Sequence, residues 1–142
     1  MIVDASVLAE WALAEPRADT ARALYDDCTE RAERIIAPPL LPFELANIVR
    51  QRMVRTGLSL PDARGLLGEL LAFPVSLVQI PGLYDRALSL PEAHGPPAAY
   101  DAHYLAPAER YACTLWTDDQ RLLRLVGGTL PFVSPIGDYQ RP

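Results

Sequence analysis

The stretch Ile2-Val3-Asp4-Ala5-Ser6 governs how the rest of the chain reads. A short apolar run ends in a turn-capable Asp-Ala-Ser, which predicts a first strand over Ile2–Ala5 passing directly into a helix through Val7–Ala14, with Ser6 as its natural N-cap. Working outward, a second helix runs from Ala18 to about Glu33, with Ala21, Leu24 and Tyr25 at helical spacing. Arg34–Ala37 is the next strand, closed by Pro38-Pro39. Leu40–Thr56 is a helix with Leu41, Leu45, Ile48 and Val49 on one side and Gly57 as its stop. Ser59 opens a helix to about Phe73, Val75–Gln79 is a strand, and Tyr84–Leu90 is a short helix cut off by Pro91. Ala98–Tyr111 is a helix, Cys113–Trp116 a strand, Asp119–Val126 a helix, and Phe132-Val133 a terminal strand fragment. Strands alternating with helices indicate an α/β three-layer fold with a largely parallel central sheet. Ligands collect at the carboxyl ends of such strands, where Asp4 and Asp119 both stand.

The chain has 142 residues, matching one domain over 1–142 that buries roughly two thirds of its unfolded surface. With 50% apolar and 22% charged residues it falls among globular compositions rather than disordered ones. No apolar run approaches the roughly 18 residues that span a bilayer, and the N-terminus lacks a secretory layout, so a cytoplasmic protein without membrane association is expected. Cys28 and Cys113 form neither a disulfide framework nor a zinc array and read as free thiols, with Cys113 buried. The formal net charge of −5 argues against strong indiscriminate binding to RNA, because phosphate neutralisation supplies most non-specific affinity. It leaves room for a local arginine patch and for a basic partner.

Four acids stand out from this background. Asp4 is either a helix cap or a functional carboxylate, and Ser6 competes with it for the capping role. Glu44 shares its helical face with Leu40, Leu41, Asn47 and Ile48, so it is either an exposed charge or a carboxylate held against the core and oriented by Asn47. Asp101 has the uncharged neighbours Pro97, Ala98, Tyr104 and Leu105, and an unpaired carboxylate on such a face is costly to bury. It needs a partner from outside its own helix, and a metal ion would serve. In Thr117-Asp118-Asp119 either aspartate can cap the following helix, and two caps are redundant. His94 and His103 lack the i, i+4 spacing that puts two imidazoles on one helical face, and read as structural or surface residues. No GxSxG elbow, P-loop or GxGxxG fingerprint is present. Leu8, Trp11, Leu24 and Tyr25 read as core, with a partner groove as the other reading.

Taken together, Ile2-Val3-Asp4-Ala5-Ser6, Glu44-Leu45-Ala46-Asn47, Tyr100-Asp101-Ala102-His103-Tyr104-Leu105-Ala106 and Leu115-Trp116-Thr117-Asp118-Asp119-Gln120-Arg121-Leu122 resemble the four motif segments of PIN-domain proteins. The VapC-type toxins of bacterial toxin–antitoxin pairs are the closest subgroup. The resemblance implies a PIN-like α/β/α sandwich and metal-binding acids at Asp4, Glu44, Asp101 and Asp119. Ser6, Asn47 and Thr117 become supporting polar residues, and Asp119 rather than Asp118 matches the Thr-x-Asp position. Pro91 and Pro107 depart from the pattern, standing where such proteins continue a helix. Pro107 is expected to kink or end its helix, at a cost of about 3 kcal/mol in a regular helix, and so to shift the aim of Asp101.

The resemblance further implies hydrolysis of single-stranded or loop RNA, a small antitoxin whose C-terminal segment fills the groove and supplies an arginine, and a homodimer. An all-carboxylate pocket suits Mg²⁺ or Mn²⁺, which prefer oxygen ligands. Arg50, Arg52 and Arg55 either contact phosphate or form a solvated face. Mutual repulsion among the acids is expected to raise their pKa values and to strain the metal-free fold. Two other readings compete: an aspartate-nucleophile phosphohydrolase, disfavoured because Ser6 stands where its second acid belongs, and a PIN-fold binding module without activity.

Overall fold

The computed structural model describes residues 1–13, 15–94, 99–126 and 128–141. Strand β1 (Ile2–Val3) leads into helices α1 (Ala5–Ala12) and α2 (Ala18–Glu30). Then follow β2 (Ile36–Ala37), α3 (Leu41–Thr56), α4 (Leu60–Leu71), β3 (Ser76–Leu77), α5 (Leu83–His94) and α6 (Ala99–Arg110). The chain closes with β4 (Leu115–Thr117), α7 (Gln120–Val126), β5 (Val133–Pro135) and a 3-10 turn over Ile136–Asp138. The expected helix end at Ala14 and helix start at Ala98, with its neighbour Pro97, lie outside the described residues.

All strand pairings are parallel and the sheet order is β3-β2-β1-β4-β5, flanked by helices in the three-layer arrangement that the sequence predicts. The chain winds outward from β1 to β3 and then returns to the other side of β1 with β4 and β5. That reversal makes the crevice between the carboxyl ends of β1 and β4 the topological switch point, where open α/β sheets bind ligands. Ile2 pairs with Leu115 and Val3 with Trp116, so Asp4 and Thr117 leave the sheet side by side. Ile2, Val3 and Leu115 are buried, as expected of central parallel strands covered on both faces. Helix α6 packs on β1 and β4 and brings Asp101 to this crevice; α1 packs against α3 and α4. Gly57, at φ 71°, ends α3 in the left-handed conformation, and Ser59 caps α4.

The prolines behave differently from the sequence expectation. Helix α5 passes through Pro91 to His94, and α6 continues three residues beyond Pro107. Each proline removes one backbone hydrogen bond, costing about 3 kcal/mol in a helix interior. On α5, Leu83 and Leu90 are buried, and two such side chains contribute roughly 3–6 kcal/mol. On α6, Ala106 and Ala108 on either side of Pro107 are buried, and the Tyr111 amide still donates to the Pro107 carbonyl at 2.9 Å. Packing therefore outweighs the missing bonds, and Asp101, in the first turn of α6, lies upstream of the affected turn. The cysteine expectation also reverses: Cys28 is buried and Cys113 only partly so, because β4 starts at Leu115 and Cys113 sits in the turn that follows Ala112 at φ 48°.

Candidate active site

Asp4, rather than Ser6, caps α1. Its Oδ1 accepts from the Ser6 amide at 2.9 Å, the Val7 amide at 3.3 Å and the Ser6 hydroxyl at 2.5 Å, while its Oδ2 accepts from the Thr117 hydroxyl. A carboxylate has two oxygens to share between a helix end and a neighbouring strand, which a serine hydroxyl lacks. Ser6 and Thr117 serve instead as links. The Ser6 hydroxyl accepts from the Asp118 amide at 2.7 Å, and the Thr117 hydroxyl from the Asp119 amide at 2.9 Å. The loop after β4 is thereby fixed to the carboxylate after β1. Burial raises Asp4 to about 6, its four neutral donors offsetting only part of the desolvation.

Glu44 enters from the first turn of α3 and accepts a hydrogen bond from the Tyr104 hydroxyl of α6. Its orienting partner is thus Tyr104, not Asn47, which is exposed at the rim of the same cavity. Desolvation is the main cause that lifts Glu44 to about 7; the Tyr104 bond works against it, and the charges of Asp4, Asp101 and Asp119 add to it. Repulsion among the acids is therefore present as expected, but it is secondary to burial. The Tyr104 phenol is itself pushed upward by burial and by Glu44, so it keeps its proton and remains the donor.

Asp101 finds its partner outside its own helix in Arg121, whose Nη2 lies 2.6 Å from Oδ2. Asp119 caps α7, accepting from the amides of Arg121 at 2.8 Å and Leu122 at 3.1 Å, and its other oxygen lies 3.9 Å from the Arg121 guanidinium. Asp118 turns away to Arg17 at 2.5 Å, beside the buried Glu10, whose carboxyl accepts from the Arg17 amide. Asp4, Ser6, Glu44, Asn47, Asp101, Tyr104 and Asp119 line one cavity of about 190 Å³ at the switch point. Capping and cavity-lining coexist at Asp4 and Asp119, two roles that sequence reading treats as rivals.

Three participants escape sequence reasoning: Tyr104, Arg121 and the Arg17–Glu10 pair. Tyr104 has a usable signal, because i, i+3 spacing places it on the helical face of Asp101. Arg121, two positions after a capping acid, has a weaker one. Arg17 has none. Among the other polar residues, the His103 ring meets Tyr84 edge-on at 5.7 Å; the His94 side chain lies outside the described residues. Arg52 pairs with Glu15 at 2.8 Å and Arg55 donates to Gln51 at 3.2 Å, placing both on a solvated face away from the acidic cavity. Leu8 and Leu24 are core, whereas Trp11 and Tyr25 are half-buried around Phe73, each with ring centroids 4.8 Å from it.

The donor set suits a hard divalent cation: four carboxylates, with the hydroxyls of Ser6 and Thr117 supporting Asp4, and no sulfur or imidazole in the cavity lining. Among the described residues no three acidic, histidine or cysteine side chains are yet drawn together as a closed ion site. Asp101 is instead held by Arg121.

The PIN domain family model matches residues 1–128. Ribonuclease VapC9 of Mycobacterium tuberculosis and VapC ribonuclease Mb0985 of Mycobacterium bovis are each 35% identical to this chain over 91 residues, covering 64% of it and 69% of the relative. The crystal structure of PAE2754 from Pyrobaculum aerophilum shares the fold with a TM-score of 0.68 at 22% identity, over 96% of this chain and 88% of that one. Among the described residues no helix is long and apolar enough to cross a membrane. With four acids from four separate segments meeting at the switch point of a parallel sheet and a family match over most of its length, the chain belongs to the PIN-domain family, in its VapC-type branch.

Proposed function

We propose that this chain is a Mg²⁺- or Mn²⁺-dependent endoribonuclease, the toxin of a toxin–antitoxin pair, hydrolysing RNA in the cavity formed by Asp4, Glu44, Asp101 and Asp119. The two mycobacterial VapC relatives are ribonucleases by name, and the observation that carries the reading is the convergence of these four carboxylates on one cavity. Asp4, Asp101 and Asp119 with Glu44 hold the ion. Ser6 and Thr117 fix Asp4, and the amides of Arg121 and Leu122 fix one oxygen of Asp119, which also lines the cavity. When bound, the ion supplies positive charge beside the scissile phosphate and eases deprotonation of an attacking water. Burial holds Glu44 at about 7 in the metal-free chain, and it gives up that proton when the ion binds, with Oε2 kept on the Tyr104 hydroxyl. Tyr104 keeps that carboxylate aimed through the reaction.

The substrate is unpaired RNA, whose backbone and bases are accessible to an open cavity. An antitoxin with a basic segment complements the net charge of −5, and the half-buried Trp11, Tyr25 and Phe73 line an apolar cavity that suits its hydrophobic part. Exposed Phe43, Tyr84, Leu88 and Tyr100 support a two-fold homodimer without antitoxin. Light scattering checks it: twice 15.6 kDa is expected, and a monomer mass at micromolar concentration rejects the dimer.

The deciding experiment is RNA cleavage with Mn²⁺ and with EDTA, for wild type and for Asp4→Asn, Glu44→Gln, Asp101→Asn and Asp119→Asn. Cleavage should stop in EDTA, and each variant should lose more than the roughly 10–100-fold that changes behind a metal ligand cost. Undiminished cutting in EDTA rejects the mechanism. The Arg121 contact on Asp101 favours a second reading, a PIN-fold binding module without activity. It is distinguished by RNA binding with no cleavage at any Mn²⁺ concentration.

A further inference from the structure

The Arg121–Asp101 contact is an ion pair on one of the carboxylates that line the acidic cavity. The side chain of Asp101 is 12% exposed and that of Arg121 is 50% exposed, so the guanidinium covers the carboxylate from the solvent side. Asp119 restrains the same residue twice. One of its oxygens accepts from the Arg121 amide at 2.8 Å, and the other stands 3.9 Å from the guanidinium. Among the described residues the donors that reach Asp4 and Glu44 are neutral: the Ser6 and Thr117 hydroxyls, two amides and the Tyr104 phenol. The cation that the structure brings to this cavity is therefore Arg121, and it is placed on two of the four acids.

We infer that Arg121 is a built-in counter-cation of the acidic cavity, holding Asp101 and Asp119 in the absence of a divalent ion and competing with that ion for them. The inference rests on the reading of the cavity as an ion site. A divalent ion on the Asp101 carboxylate and a guanidinium 2.6 Å from its Oδ2 repel each other and compete for the same negative charge, so ion binding displaces Arg121 from Asp101. Its partly exposed side chain rotates into water at little cost, because exposed ion pairs are weak. Arg121 thus sets how tightly the ion is held without being one of its ligands.

The test is Mn²⁺ binding by titration calorimetry at low ionic strength on the full chain, comparing wild type, Arg121→Ala, Arg121→Lys and Arg124→Ala. Arg124 is an exposed arginine on the same helix and controls for the mere loss of a nearby positive charge. Arg121→Ala should bind Mn²⁺ about two- to fivefold more tightly than wild type, the equivalent of losing one exposed ion pair. Arg121→Lys should fall between them and Arg124→Ala should stay near wild type. The difference should shrink in high salt, where exposed pairs are screened. Equal or weaker binding by Arg121→Ala, in a variant that melts cooperatively, overturns the inference while leaving the ion site standing. An Arg124→Ala effect as large as that of Arg121→Ala overturns it as well. If neither wild type nor Arg121→Ala binds Mn²⁺, the inference falls together with the reading beneath it.

Discussion

The two ends of the central sheet treat buried carboxylates in opposite ways. At the amino ends of β1 and β4, a cavity of about 310 Å³ is lined by residues including Met1, Asp27, Cys28, Cys113 and Tyr139. The Asp27 side chain there is 5% exposed, and it is neutralised: Arg141 Nε lies at 2.8 Å and the Tyr139 hydroxyl donates to it. At the carboxyl ends, the smaller cavity holds Asp4 and Glu44, buried or half-buried with neutral donors alone, and both are pushed up to about 6 and about 7. A carboxylate that folds with its own cation, as Asp27 does with Arg141 and Asp101 with Arg121, has its charge balanced. One that folds with hydroxyls and amides only is left short of positive charge, which an ion can supply. Donor chemistry around Asp27 on one side and Asp4 and Glu44 on the other, rather than volume, separates the two cavities.

The largest effect that sharpens this contrast is the pH dependence of stability. Asp4 and Glu44 lie above their unfolded values of 3.8 and 4.5, so between about pH 4 and pH 7 the folded state holds protons that the unfolded state has lost. The stability that these two groups contribute to the metal-free protein is therefore fully present below that window and is lost as pH rises through it. For Asp4 alone the difference amounts to about 3 kcal/mol. Thermal melts in EDTA should give a lower Tm at pH 8 than at pH 5; a flat or rising profile contradicts the assignment. Glu44→Gln, which removes one charge without a partner cation, should flatten the profile.

Breaking the amino-end pair comes next in size. Arg141→Ala leaves Asp27 with Tyr139 as its donor and should lower Tm modestly, because the exposed guanidinium is screened by solvent. RNA cleavage per folded molecule should be unchanged, and a tenfold loss of activity would show that the two ends are not independent. Tyr104→Phe removes the donor to Glu44 at a cost of about 1 kcal/mol and should raise the Glu44 pKa further, read by carboxyl NMR titration. A fall would mean that Tyr104 does not stabilise the charged form. Smallest is Asp101→Asn in the metal-free protein. Because Asp101 has Arg121, its charge is not unbalanced, and urea denaturation should change by less than about 1 kcal/mol. The stabilisation that mutual repulsion alone predicts at this position is not expected.

Much of the fold is legible in the residues because each switch of period has a local cause. Ile2-Val3 ahead of Asp4, Gly57 at the end of α3 and Ser59 at the start of α4 mark boundaries that the structure keeps. The prolines mislead because a local rule competes with long-range burial: Pro91 and Pro107 break hydrogen bonds, but Leu83, Leu90, Ala106 and Ala108 hold the helices. At the site, Glu44 and Asp101 can be picked out because their helical neighbours offer them no charge, and Asp4 and Asp119 because each follows a strand. The partners that decide their states cannot be found the same way. Tyr104 lies 60 positions from Glu44 and Arg121 lies 20 from Asp101, contacts that only the parallel sheet brings about.

Proton release on Mn²⁺ binding tests the carboxyl-end cavity most directly, because it joins the buried acids to the ion in one number. Metal ligands bind deprotonated, so an ion that enters beside Asp4 and Glu44 must displace the protons they hold. At pH 6.5, midway between about 6 and about 7, the two carboxyls together carry on the order of one proton. Calorimetric titration of Mn²⁺ at that pH, in two buffers of different ionisation enthalpy, should report release of about one proton per ion, falling toward zero at pH 8.5. Mn²⁺ binding whose heat is the same in both buffers at pH 6.5, or no binding at all, would contradict an ion site built on Asp4 and Glu44.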